Sequence, residues 1–192
     1  MRFKRRSTAR RMRIVFATDL HGSEACFRKW VNAARILEAS CLVMGGDITG
    51  KSMVPIVETD EGWEAELGHD RSVARDDEEL AGLRKRIRAG GRYDVEVTRE
   101  ELARLADDAG PRDRLFKQAS QDSLRRWIEV AEERLPATGT PAFFMLGNDD
   151  EDELLDGIGP SEALQYGEDR VCELPGGYEM ISFGYSTPTP WH

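Results

Sequence analysis

The chain has 192 residues, a net charge of −9 at pH 7 and 40% hydrophobic residues, which is typical of one folded domain with a sizeable core. No apolar stretch is long enough to span a membrane, so no transmembrane segment is predicted. Three widely spaced cysteines, Cys26, Cys41 and Cys172, lie within apolar patterns. They predict reduced core or near-core thiols in a cytoplasmic protein, not a disulfide framework.

Residues 1–12 carry six basic side chains and no acidic one. This segment is predicted to be a disordered extension, and the alternative is contact with RNA, an anionic membrane or a targeting receptor. The other 180 residues carry a net charge of −15, which argues against broad nucleic-acid binding because that requires a basic surface. The folded domain is therefore predicted to span residues 13–192.

A buried strand is predicted over residues 13–18, because this run is short, apolar and bounded by turn-forming residues. Asp19 and His21 follow it, and side chains two apart on an extended segment point the same way, so both can converge on one ion. A helix is predicted next, with Ser23 as its cap. Its apolar stripe is predicted to lie in the core and comprises Phe27, Trp30, Val31, Ala34 and Leu37.

A second apolar run ends at Asp47, and about ninety residues separate it from the third, far more than a crossover requires. A strand is predicted over residues 53–57. The charged, turn-rich segment that follows contains His69, which is interpreted as a surface-loop histidine.

Three helical patterns complete this long segment. The first ends at Gly90, the second begins with a capping box formed by Thr98 and Glu101, and the third ends at Pro136 with a broad apolar stripe that should dock on the sheet. The sequence therefore predicts a helical insertion over about residues 58–136. A cap over the site is one interpretation, and a solvated embellishment or oligomer contact is the other.

The third apolar run ends in Gly147, Asn148 and two aspartates. Residues 150–153 are predicted to open a short helix, where acidic side chains complement the helix dipole. Residues 169–174 and 178–183 flank a turn of proline and two glycines, which predicts a β-hairpin.

Three polar clusters thus follow three predicted parallel strands. In open α/β sheets functional groups gather just beyond the carboxyl ends of strands, so Asp19, His21, Asp47 and Asn148 are predicted to meet at one edge. Carboxylate, imidazole and amide ligands favour manganese, iron or zinc. Asp47 comes from the middle of the three clusters and is therefore the candidate to bridge two such ions. A pair of ions favours displacement at phosphorus, because the attacking and leaving oxygens are both stabilised by positive charge. Phosphate monoester hydrolysis can need accelerations near ~10²¹, whereas positioned acid–base groups supply only about 10²–10⁴.

These motifs resemble, in order and strand context, the first three motifs of the calcineurin-like metallophosphoesterases. The resemblance implies an α/β fold of the four-layer αββα sandwich type, with a dinuclear metal site at the sheet edge. It implies that Asp19 and His21 bind the first ion, that Asp47 bridges and that Asn148 binds the second. The implied activity is hydrolysis of phosphomonoesters or phosphodiesters of a small-molecule or nucleotide substrate through a metal-bound hydroxide.

The chain departs from the family pattern in two ways. Many members have a histidine near the leaving group where this chain has Asp149, and a carboxyl group there can donate a proton only if burial or like charge raises its pKa. The later histidine motifs are absent, since the chain has only His21, His69 and His192. The domain is therefore predicted to be truncated at its C-terminus and the fragment to be weakly active or inactive. The alternatives are a non-catalytic member of the fold that acts as an interaction scaffold and a dinuclear hydrolase of amides.

Overall fold

The computed structural model describes residues 12–184. The predicted basic extension, apart from Met12, and His192 lie outside these residues. None of the described helices combines the length and apolar character that crossing a membrane requires.

The chain alternates strands and helices and is mixed α/β, as predicted. A short 3₁₀ helix, Asp152–Leu155, lies between the seventh and eighth strands. In chain order the other elements are β1 (Ile14–Ala17), α1 (Glu24–Ile36), β2 (Cys41–Met44), β3 (Met53–Thr59), β4 (Gly62–Leu67), β5 (Asp70–Ala74), α2 (Asp77–Ala89), β6 (Tyr93–Val97), α3 (Arg99–Asp107), α4 (Ala109–Arg134), β7 (Ala142–Phe144), β8 (Gln165–Tyr166), β9 (Val171–Leu174) and β10 (Tyr178–Ile181).

The three strands predicted from the apolar runs form one parallel sheet. Its order is β1-β2-β7-β8, and every neighbouring pair is parallel. The carboxyl ends of β1, β2 and β7 consequently lie side by side. This arrangement confirms the prediction that the polar residues after these strands share one edge of one sheet.

Helices α1 and α4 cover one face of this sheet. Phe27 of α1 and Trp127 of α4 stack at 4.4 Å between ring centroids, and Trp30 is 4% exposed, so the predicted core stripe is confirmed within α1. The prediction is wrong for Leu37, which lies just past the end of the helix as its C-cap and is 47% exposed. Ser23 caps α1 by accepting from the backbone N–H of Cys26. Cys26 itself is exposed, which corrects the prediction of a core or near-core thiol. It lies about 100° around the helix from Phe27, beside the buried stripe.

The hairpin of β9 and β10 covers the opposite face of the sheet. Its antiparallel pairing confirms the predicted hairpin, and Cys172 packs with Cys41 and Phe143 in a second apolar cluster. The part of the described chain around the first sheet therefore forms three layers: helices, a parallel sheet and a two-stranded antiparallel sheet. Two side chains of β1 on the hairpin side, Ile14 and Phe16, are 45% and 62% exposed.

The segment predicted as a helical insertion is mixed rather than purely helical. Its three helices are present, and the capping box at Thr98 is confirmed. The strand predicted at residues 53–57 is also present, but it pairs with three further strands in a sheet of order β5-β4-β3-β6. The missed strands alternate apolar and charged residues, so each buries the apolar side chains of only one of its faces. Those of β6 pack with Ala119 of α4, whereas Ala65 of β4 and Ala74 of β5 pack with α2 on the other face of the sheet.

Helix α4 joins this segment to the first sheet. Its N-terminal half contributes Ala119 to the apolar cluster that contains Tyr93 and Val95 of the insertion. Its C-terminal half contributes Leu124 and Trp127 to the core of the first sheet, so the predicted docking of its stripe is confirmed. One helix thus fixes the insertion beside the sheet that carries the polar clusters.

Candidate metal centre

Three of the four predicted metal ligands converge. Asp19 and His21 follow β1, Asp47 follows β2, and ligand atoms from all three lie within 4.8 Å of one another. Protein ligands around one ion must approach each other to this extent, since metal–ligand distances are about 2.0–2.2 Å. These three residues are therefore placed to share a cation.

The same three residues have left-handed backbone conformations, so the prediction that Asp19 and His21 converge on an extended segment is wrong, although their side chains do come together. Their φ angles are 56° for Asp19, 43° for His21 and 51° for Asp47, and only two other non-glycine residues within residues 12–184 have positive φ. Such conformations cost on the order of 1–3 kcal/mol each, so they persist only where other contacts hold the backbone in place. Here backbone hydrogen bonds between the loops do so, from Asp19 N to Gly46 O at 3.1 Å and from His21 N to Asp47 O at 2.9 Å.

The imidazole of His21 has a ring nitrogen that finds no hydrogen-bond partner among residues 12–184. Its Nε2 lies 3.9 Å from Oδ1 of Asp19, and its Nδ1 is buried without a hydrogen-bond partner. Leaving a buried polar atom unsatisfied costs about 1–3 kcal/mol. A histidine that shares its surroundings with carboxylates and keeps a nitrogen unpaired fits the donor set of a divalent ion.

Asp47 lies where negative charge accumulates. Burial raises the pKa of its carboxyl group, and the nearby carboxylates of Asp149, Asp150 and Asp19 raise it further. The backbone N–H of Asp149, which donates to Oδ1 of Asp47 at 3.3 Å, opposes this rise. Without a cation, the ionised form of Asp47 is therefore less favourable than it is in water. A bound cation would stabilise that ionised form.

Asn148 lies beside Asp47 on the third loop. A Cβ atom built on Gly147 would lie 2.1 Å from Oδ1 of Asp47, so only glycine allows the two loops to come this close. The residue on the other side, Asp149, donates its backbone N–H to the same carboxylate. Asn148 is exposed between these two contacts, which places it next to the residue predicted to bridge.

Asp150 ties the second loop to the third, a role that the sequence reasoning missed. Its carboxylate accepts from the backbone N–H groups of Ile48 at 3.0 Å, Thr49 at 2.8 Å and Gly147 at 2.9 Å, and from the hydroxyl of Thr49 at 2.6 Å. The residue was predicted to open a short helix, but that helix begins at Asp152. The available signal was the tendency of aspartate to bond neighbouring backbone groups in a turn.

Asp149 forms an ion pair with Lys51, a residue that the sequence reasoning did not select. The Asp149 side chain is 25% exposed and that of Lys51 is 54% exposed. This ion pair engages the carboxylate that was assigned as a proton donor to a leaving group, and that role of Asp149 stays a prediction.

The insertion touches the loop that carries His21. Gly22, Gly50 and Gly91 meet backbone to backbone: a Cβ atom on Gly91 would lie 2.3 Å from the carbonyl oxygen of His21, and one on Gly50 would lie 2.5 Å from that of Gly91. The hydroxyl of Ser23 donates to the carbonyl of Ala89 at 3.0 Å. The end of α2 is thus packed directly against the first two loops of the site.

Tyr93 completes this contact from within the insertion. Its hydroxyl oxygen accepts from the backbone N–H of Gly50 at 2.6 Å, and the side chain is 2% exposed. Burial raises the pKa of this phenol to about 12, so it stays protonated at neutral pH.

His69 lies exposed in the turn between β4 and β5, as predicted for a loop histidine.

Tyr93→Phe is expected to weaken manganese binding about 10-fold, because residues that hold metal-bearing loops usually contribute on this scale. It should also lower the free energy of unfolding by about 1–3 kcal/mol, since the buried N–H of Gly50 would lose the phenol oxygen that accepts its hydrogen bond. Calorimetric titration with Mn²⁺ and urea unfolding measure the two effects. Tyr178→Phe, at a 51% exposed tyrosine, is the control. Unchanged manganese affinity in Tyr93→Phe would show that the insertion does not position the loops.

Comparison with known proteins gives no relative for this chain: no family model, no curated protein and no solved structure matches it.

Proposed function

We propose that this protein is a metal-dependent phosphoesterase with a dinuclear centre of manganese, iron or zinc. The observation that carries the proposal is the convergence of Asp19, His21 and Asp47, each in a left-handed conformation, at the carboxyl edge of a parallel sheet. A scaffold has no need to gather carboxylates that repel one another. The four-layer αββα sandwich is proposed with it, since helices, parallel sheet and antiparallel hairpin are stacked in the order that this fold requires.

Each residue has a role that follows from its position. Asp19 and His21 would hold one ion, Asp47 would lie between two ions, and Asn148 would offer a neutral oxygen to the second. Bound divalent ions supply the positive charge that stabilises attacking and leaving oxygens at phosphorus. Lys51, paired with Asp149 beside Asp47, adds a cation that can neutralise a phosphate oxygen.

The test is hydrolysis by metal-stripped protein to which Mn²⁺ is returned. We expect weak release of nitrophenol from p-nitrophenyl phosphate or bis(p-nitrophenyl) phosphate, and only when the metal is present, because the later histidine motifs of the resembled family are absent from the chain. His21→Ala should reduce the rate to background, whereas His69→Ala, at the exposed hairpin turn, should not change it.

Two other results would argue against the proposal. Binding of two manganese ions without hydrolysis of either ester would favour the non-catalytic interaction scaffold. Hydrolysis that survives His21→Ala would remove the proposed site from the reaction.

A further inference from the structure

A groove runs from Asp149, which lies next to the candidate metal centre, into the insertion. It consists of two cavities that share Lys51, Asp113 and Phe116 as lining residues. The first, of about 310 Å³, reaches Gly50 and Asp149. The second, of about 450 Å³, lies between the insertion sheet and α3. We refer to the two together as the insertion groove.

The two ends of the insertion groove differ in chemistry. The end at the metal centre is polar and contains the ion pair of Lys51 and Asp149. The far end is lined mainly by apolar side chains, together with Ser52, Arg112 and Asp113. Leu102 of α3, one of its lining residues, is 37% exposed. The larger apolar side chains of this end are Met53, Pro55, Val95, Leu102, Leu105 and Phe116.

We propose that the insertion groove binds the alcohol portion of the substrate phosphoester and that this alcohol is apolar, an aryl or alkyl group. The inference rests on the proposed phosphoesterase function and adds a substrate class to it. The groove begins at Asp149, whose backbone N–H contacts Asp47, so an ester whose phosphate lies at the metal centre can extend its organic group along it. Cavities of about 300–1,000 Å³ are the usual size for small-molecule sites.

A polyhydroxylated alcohol would fit the far end poorly. Hydroxyl groups that leave water to face its apolar side chains would cost about 1–3 kcal/mol for each hydrogen bond left unmade. An apolar group gains free energy there, at roughly 25 cal/mol per Å² of apolar surface removed from water. Esters of apolar alcohols are therefore selected over esters of sugars or glycerol.

Leu102→Gln tests the groove, with Ile36→Gln as its matched control. Both residues are exposed and lie on helices, and Ile36, at the end of α1, is far from the groove in the fold. No residue of α3 is buried, so the Leu102 variant should fold. The first readout is the fluorescence titration of full-length, metal-free protein with 2-naphthol, which needs no catalysis. We expect binding that Leu102→Gln weakens about 10-fold and that Ile36→Gln leaves unchanged.

The second readout is the kcat/KM of manganese-loaded protein. We expect a higher kcat/KM for 2-naphthyl phosphate and for hexyl phosphate than for glycerol 2-phosphate. Leu102→Gln should reduce this difference. Whichever of the two apolar esters has the higher kcat/KM shows whether the groove prefers an aryl or an alkyl group. Naphthol binding that does not depend on Leu102 would contradict the proposal that the insertion groove binds an apolar group, whether or not esters are hydrolysed. Leu102-dependent binding by a protein that hydrolyses no ester would support the groove as an apolar-ligand site and overturn the phosphoesterase function alone.

Discussion

Asp47→Asn is expected to abolish manganese-dependent hydrolysis and, at the same time, to stabilise the metal-free protein. The folded protein raises the pKa of the Asp47 carboxyl group through burial and neighbouring carboxylates. A raised pKa means that the folded state holds this proton more tightly than the unfolded chain does. Stability is therefore present below the unfolded pKa and is lost as pH rises through the folded pKa. At neutral pH the ionised side chain opposes folding, and asparagine removes that charge.

The substitution preserves the rest of the local structure. Asparagine tolerates the left-handed conformation of residue 47, where φ is 51°. Its amide oxygen can still accept from the N–H of Asp149. What is lost is the anionic oxygen pair needed to bridge two cations, so metal binding and stability should change in opposite directions.

Thermal unfolding at pH 7, with chelator and then with Mn²⁺, measures both changes. In the unaltered protein, manganese at 100 times its dissociation constant adds about 2.7 kcal/mol, which for a chain of this length raises Tm by roughly 5–10 °C. Asp47→Asn should have a higher Tm in chelator and show no rise with manganese. Asp169→Asn is the control, because Asp169 is another aspartate with positive φ, 53°, outside the site. A manganese-dependent rise that persists in Asp47→Asn would exclude Asp47 as a ligand.

Much of this site could be predicted because its signals are local. An apolar run followed at once by Asp19 and His21 specifies both a strand and the positions of the two candidate ligands after it, and parallel pairing brings the strand ends together. The starts of helices α1 and α3 could be predicted equally well, since Ser23 and Thr98 cap them through hydrogen bonds within one turn. These features need only the spacing of residues along the chain.

The features that were missed depend on distant pairings. Tyr93 reaches Gly50, 43 residues away, and Lys51 pairs with Asp149 across the fold. Strands β4 and β5 carry so many charged residues that they resemble a solvated turn, and only their neighbours in the sheet make them strands. No local pattern specifies such contacts, because tertiary packing overrides intrinsic β-propensity.

Asp150→Asn is expected to produce the largest loss of stability among these variants, about 3 kcal/mol, or a Tm lower by roughly 6–12 °C. Each carboxylate oxygen accepts two hydrogen bonds: Oδ2 from Ile48 and Gly147, and Oδ1 from the N–H and hydroxyl of Thr49. An amide group replaces one of these oxygens with an NH₂ that faces two donors. The second and third loops would then separate.

The metal dependence of this loss distinguishes a positioning role from a ligand role. Because Asp150 uses its carboxylate to hold backbone N–H groups, the fall in Tm should be present in chelator, and manganese affinity should fall about 10- to 100-fold as a consequence. Asp152→Asn, at an exposed residue that opens the 3₁₀ helix, should change neither quantity. A normal Tm in chelator with lost metal binding would instead make Asp150 a ligand. The expected result means that the chain builds the geometry of the site before any ion arrives, which is what preorganised metal binding requires.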